Sequence, residues 1–203
     1  MLTGAILAGG ENRRMNGEAK ALLTFGAEKL IQRQIRQMRE ICSEMIVVTN
    51  RPKLFLPVID ASVRLITDYF PDKGPLGGLH AALNLAKFPN VWAVGCDMPF
   101  VSAKAARAML EWKRNEDDAV VPVCDGDICP LHAIYDKRVA EMIANLLTQE
   151  RKPDFYSLLS RIRWSEMTES DFLEQGIGVS FAWDFDTWDE YEALKADIER
   201  FCL

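Results

Sequence analysis

The side chains best suited to chemistry in this sequence come directly after apolar runs. Leu7-Ala8-Gly9-Gly10 leads within ten positions to Arg13, Arg14, Gly17 and Lys20. Asp68 follows Leu65-Ile66-Thr67, Asp97 follows Val94-Gly95-Cys96, and Asp186 sits in Asp184-Phe185-Asp186-Thr187 ahead of a helical stretch. Adjacent glycines let a backbone turn sharply and bring its N–H groups close to a ligand. Arg14 and Lys20 add fixed positive charge, and arginine can grip phosphate oxygens bidentately. The combination is that of a loop holding an anionic small ligand. Each piece also has a plainer reading. Gly9-Gly10 can be a tight βα turn with solvated arginines, and Asp97 and Asp186 can be turn or helix-capping residues.

The glycine loop is neither of the two common phosphate fingerprints. Gly17 is followed by Glu18, so no Walker GK[ST] is present, and GxGxxG is absent. No Ser/His/Asp or Cys/His constellation stands out. The two histidines and five irregularly spaced cysteines, with no CxxC, argue against a structural zinc site and predict reduced cytosolic thiols. His132 reads as a satisfied polar residue.

The elements that must position these residues follow from hydrophobic period. Apolar runs at Thr3–Leu7, Met45–Thr49, Val63–Ile66, Val91–Gly95 and Ala119–Val123 predict buried strands. Amphipathic stretches at Glu28–Cys42, Leu76–Ala86, Ala103–Lys113, Lys137–Leu147 and Thr187–Phe201 predict helices. Strand and helix alternate, which predicts a single α/β domain over 1–203. It would be a three-layer αβα arrangement around a mostly parallel, Rossmann-like sheet. Ligands of such sheets bind outside the carboxyl ends of the strands, where Gly9, Gly10, Asp68 and Asp97 fall.

Composition narrows the partners. A net charge of −6 disfavours a general nucleic-acid binder. The charge is uneven: residues 1–53 carry nine Lys/Arg against five Asp/Glu, a local +4 that leaves −10 elsewhere. Arg33, Arg36 and Arg39 account for part of this excess as a solvated helix face. No apolar run is long enough to span a bilayer, and MLTGAILAGG lacks the basic and long apolar regions of a secretion signal, so a cytoplasmic protein is expected.

The order of residues in the opening loop adds a resemblance. LAGG, then Asn12-Arg13-Arg14-Met15, Gly17 and Lys20, resembles the LAGGxSxRMGxxK signature of the molybdenum cofactor guanylyltransferase (molybdopterin-guanine dinucleotide synthase) family, which has the nucleotidyltransferase fold. Gly95-Cys96-Asp97-Met98-Pro99 resembles its CDxP segment and Gly74-Pro75-Leu76-Gly77-Gly78 its GPLxG segment. Pro130–Tyr135 is similar to its PLxALY strand, near which the pterin is expected. The resemblance implies that Leu7, Ala8, Gly9 and Gly10 meet the guanine nucleotide. Lys20 and Arg14 would neutralise the triphosphate, Asp68 would bind the nucleotide, and Asp97 would hold Mg²⁺. Asp186 stands where the family commonly has asparagine, and a carboxylate there would suit a second metal contact. Asn50, at the end of the second strand, lies near a guanine-contacting asparagine of some members.

The implied reaction is attack of the terminal phosphate of molybdopterin on the α-phosphorus of GTP, with pyrophosphate leaving. A phosphate monoester is nucleophilic near neutral pH, so no dedicated base is required, and catalysis rests on alignment and charge relief. The implied partners are GTP and molybdopterin, no nucleic acid or membrane, and transient contact with proteins that deliver the pterin or accept the finished cofactor. Two alternatives stay open. One is a cytidylyltransferase acting on the same pterin or on a sugar or alditol phosphate, although such relatives more often show LAAG. The other is a non-catalytic nucleotide-binding subunit. The chain departs from the signature at Asn12 for serine, Asn16 for glycine, and Ala19 for the acidic residue before the lysine. If that acid orients Lys20, its loss weakens triphosphate binding.

Overall fold

The computed structural model describes residues 1–10, 17–70 and 72–201. Its centre is a mixed sheet of strands β1 (Leu2–Leu7), β4 (Glu44–Val48), β5 (Arg64–Ile66), β6 (Asn90–Gly95), β7 (Ala119–Cys124), β8 (Asp127–Ile128), β9 (Ala133–Asp136) and β10 (Trp164–Thr168). The order is β10-β7-β9-β6-β1-β4-β5, with β8 paired to β7. All pairings are parallel except those of β9 and β8.

The strands read as continuous apolar runs because both faces are covered. On β1, Leu2 and Ile6 pack into one core while Ala5 and Leu7 pack into the other; Met45/Val47 and Ile46/Val48 of β4 divide in the same way. Helices α1 (Leu30–Met38), α4 (Ala103–Trp112) and α7 (Glu169–Glu174) close the first face. The second is closed by α3 (Gly74–Leu85), α5 (Val139–Gln149) and α6 (Phe155–Leu159). A third, small cluster of Leu23, Phe25, Leu30, Phe185 and Tyr191 joins the hairpin of β2 (Thr24–Phe25) and β3 (Glu28–Lys29) to α8 (Trp188–Phe201). It fastens the end of the chain beside the opening loop, and so brings residues far apart in sequence into one site.

The five expected strands and five expected helices are present, with shifted ends. The first helix is shorter than its periodicity suggests, since Glu28 and Lys29 pair with Thr24 and Phe25 before α1 begins. The short helix α2 (Pro52–Phe55), α6, α7 and the edge strand β10 have no apolar run to mark them. Only Met167 of β10 is buried. Among the described residues, no helix is long and apolar enough to cross a membrane.

Candidate functional site

Strand β1 is flanked by β4 on one side and β6 on the other, and the chain order reverses between β1 and β6. That is a topological switch point, where the loops diverge and leave a crevice at the carboxyl ends of the strands. Register pairs Leu7 with Gly95 at this point. The backbone leaves β1 through Ala8, whose N–H donates to Val48 O at 2.8 Å. Gly9 and Gly10 follow, exposed, and a Cβ built on Gly9 would meet nothing.

Lys20 reaches this crevice from a 3-10 turn over Lys20–Leu22. Its side chain is only 9% exposed. The ammonium donates to Asp97 Oδ2 at 3.0 Å, Asp186 Oδ1 at 2.7 Å and Phe185 O at 2.6 Å, and lies over the Phe185 ring. Burial pulls the Lys20 amine down, but the adjacent Asp97 charge and the bonds to both carboxylates outweigh it, so it stays charged above its ordinary value. Ala19 provides no carboxylate, and Lys20 takes its partners from the turn after β6 and the segment before α8 instead.

Asp97 is fixed by the turn that carries it. Its Oδ1 folds back over Gly95, where a Cβ would meet it at 2.6 Å, so the turn accepts only glycine at this position without displacement. Asp186 is 57% exposed. The start of α8 is capped by its neighbours, since Thr187 N and Glu190 N exchange bonds with the side chains of Glu190 and Thr187. Asp184, which the sequence reasoning misses, belongs to the same cluster. Desolvation, then the charges of Asp97 and Asp186, push its carboxyl above the usual range. The signal available for it is the spacing of Asp184 and Asp186, two residues apart on either side of an apolar anchor.

A family model described as a MobA-like NTP transferase domain matches residues 4–164. The chain belongs to that family. It is 29% identical to molybdenum cofactor guanylyltransferase of Desulfosudis oleivorans across 98% of this chain and 96% of that one. Identity reaches 38% with a probable molybdenum cofactor guanylyltransferase of Pelotomaculum thermopropionicum, over 77% and 75% of the two chains. The fold is similar to that of molybdopterin-guanine dinucleotide biosynthesis protein A from Archaeoglobus fulgidus, with a TM-score of 0.80, 22% identity and 98% of both chains covered.

Within this MobA-like domain the remaining expected residues stand as follows. Asp68, half-buried beyond β5, accepts from Phe70 N at 2.7 Å through Oδ1. Its Oδ2 lies against Gly77 at the start of α3, where a Cβ would collide with it. Desolvation pushes the Asp68 carboxyl up. Asp68 therefore stands on the same edge of the sheet as Asp97, three strands away, or about 14 Å at ordinary strand spacing. Asn50 is exposed at the end of β4, and Arg51 beside it donates to Gly17 O at 3.5 Å. Arg14 lies outside the described residues, as do Arg13 and Asn12. His132 is fully buried, accepts from Ser102 N at 3.0 Å and is pushed by burial down to about 3, so it is a neutral structural residue.

Among the described residues, no three His, Cys, Asp or Glu side chains are grouped to hold a metal. Two carboxylate oxygens, from Asp97 and Asp186, do converge on one cation, the Lys20 ammonium. Hard oxygen donors in that number fit Mg²⁺, which takes one or two protein carboxylates and completes its shell with water and substrate phosphate. A cavity of about 340 Å³ lies beyond the Asp97 turn, between Arg33, Phe100, Lys104 and Phe181; Lys20, Asp68, Asp97 and Asp186 do not line it.

Proposed function

We propose that this protein transfers the GMP part of GTP to the terminal phosphate of molybdopterin and releases pyrophosphate. The observation that carries this reading is the meeting of Lys20, Asp97 and Asp186 at the switch point of a MobA-like domain. The span from Asp97 to Asp68 suits a nucleoside triphosphate laid along the strand ends, with phosphates over β1 and β6 and base towards β5. The backbone after Leu7 and Ala8 would line its path, with the N–H groups of Gly9 and Gly10 turned to the phosphates, since that of Ala8 is held by Val48 O. Asp68 would accept from the guanine N1–H and amino group.

Bringing two polyanions together costs several kcal/mol unless cations intervene. Lys20 would leave its carboxylates for the triphosphate, and Arg14 would add a second positive charge to it. Asp97 and Asp186 would then hold Mg²⁺, which supplies charge relief on the phosphate oxygens when bound. Asp97 and Lys20 thus act by position and charge, and no residue is needed to remove a proton from the acceptor. The pterin would approach from the side of β9, and the reaction would take place in the cytosol with the thiols reduced.

The test is incubation of the purified protein with GTP labelled at the α-phosphorus, molybdopterin and Mg²⁺. Label should move to a dinucleotide with equal release of pyrophosphate. Transfer from CTP in preference to GTP would move the protein to the cytidylyl class, and no transfer from either would favour a binding subunit.

A further inference from the structure

Helix α1 presents an apolar stripe to the sheet, made of Ile31, Ile35 and Met38, with one polar interruption. Gln34 is 0% exposed and lies in that stripe. Its Nε2 donates to Gly95 O at 2.7 Å and to Met98 O at 2.9 Å. The next residue back, Arg33, donates from Nε to Pro99 O at 3.0 Å. Three carbonyls of the five-residue segment Gly95–Pro99 are therefore held from one turn of α1, and Asp97 sits between them.

Packing does not account for an amide here. Gln34 Oε1 is buried without a hydrogen-bond partner among the described residues. An unpaired buried acceptor costs about 1–3 kcal/mol. Methionine or leucine would fill the same space within the stripe and remove the orphaned Oε1, but would take the donor away from Gly95 O and Met98 O. What only the amide provides is a donor at the two carbonyls that bracket Asp97. Helix α1 also receives the Lys20 segment, since Leu30 N donates to Leu23 O at 2.9 Å just beyond the 3-10 turn. One rigid element thus references both sides of the Lys20–Asp97 pair.

We infer that Gln34 is a positioning residue for Asp97, setting where its carboxylate stands by holding Gly95 O and Met98 O. The inference rests on the nucleotide-binding reading above, because it is the Mg²⁺-dependent grip on GTP that a displaced Asp97 would loosen. Residues that orient a metal-binding carboxylate typically change metal affinity about 10–100-fold when lost.

The experiment measures GTP affinity calorimetrically with and without Mg²⁺, alongside the melting temperature, for the unaltered protein, Gln34→Met, Gln34→Asn and Thr3→Val. Thr3 is a buried hydrogen-bonding residue at the opposite edge of the sheet, donating to Glu44 at 2.8 Å, and serves as the control for lost stability. Gln34→Met should reduce the gain in GTP affinity conferred by Mg²⁺ about tenfold, while Thr3→Val leaves that gain unchanged at a comparable loss of melting temperature. Gln34→Asn, which keeps the amide one methylene short, should fall between, and it decides the matter if the methionine variant does not fold. An unchanged Mg²⁺ effect in a folded Gln34 variant, or an equal loss in Thr3→Val, overturns the inference and leaves the functional reading intact. If the unaltered protein does not bind GTP at all, that reading and the inference resting on it both fall.

Discussion

The two edges of the sheet each bury charge, and they do so in opposite ways. At the amino-terminal edge Glu44 is 4% exposed and fully engaged: Thr3 Oγ1 and Lys87 N each donate to it at 2.8 Å, and Arg64 at 2.5 Å. Burial alone would push this carboxyl up, but those bonds and the Arg64 charge hold it below its usual range. At the carboxyl-terminal edge Asp97 and Asp186 share the Lys20 ammonium while a quarter and over half of their side-chain surfaces stay open. Nearby Asp184 is pushed up by its own desolvation and by the company of those carboxylates. One edge is a closed ion pair that gains nothing from a ligand; the other is a set of charges whose partners can be exchanged. A buried charge that has all its bonds holds the fold together, whereas charges left open beside a crevice are available to a ligand.

The contrast can be broken most sharply at Asp97. Asp97→Asn should reduce GMP transfer about 10²–10³-fold with little change in melting temperature, because the buried Lys20 ammonium keeps Asp186 and Phe185 O as acceptors. A large loss of stability with activity retained per folded molecule would reverse the roles of the two edges. Glu44→Ala gives the complementary result. It should cost about 3 kcal/mol in urea unfolding, since it leaves Thr3 Oγ1 and Lys87 N without their acceptor and takes the charge partner from Arg64, which keeps only Leu85 O, while kcat of the folded protein stays at its original value. A third and smaller effect comes from His132, which bonds to Ser102 N midway across the molecule. Its folded pKa is pushed from 6.5 to about 3, so between those values the unfolded chain binds a proton that the folded protein refuses. Stability attributable to this residue is therefore complete above pH 6.5 and declines on acidification, by up to about 1.4 kcal/mol per pH unit. His132→Asn should remove that slope in urea titrations between about pH 7 and 5; an identical slope would show that the ring does not control it.

Much of this edge is readable from the sequence because β1, β4 and β6 are parallel strands covered on both faces, and each writes a largely apolar run ending at its carboxyl tip. The outer strand β5 is only partly buried and shows just Leu65-Ile66 ahead of its own tip. Gly9, Asp68 and Asp97 mark those tips. What escapes a sequence reading depends on contacts between distant segments. Strand β9 runs antiparallel between β6 and β7, and no local period reports strand direction. Edge strand β10 buries one side chain of five. The bond from Lys20 to Asp186 spans 166 positions and exists because the Phe25–Phe185–Tyr191 cluster docks α8 against the opening hairpin. Ala19 points to a weakened lysine; the folded chain gives Lys20 its partners from elsewhere. Gln34 is the one polar residue within an apolar helical stripe, a visible anomaly whose meaning requires the two carbonyls it reaches.

On the proposed function, the carboxyl-terminal edge would exchange its internal ion pairs for a guanine nucleotide and a metal ion. Calorimetric titration of the folded protein with GTP, CTP and ATP, each with and without Mg²⁺, tests that exchange most directly. GTP should bind in preference to the other two, and only weakly when Mg²⁺ is withheld. Equal binding of all three, or GTP binding indifferent to Mg²⁺, would contradict it.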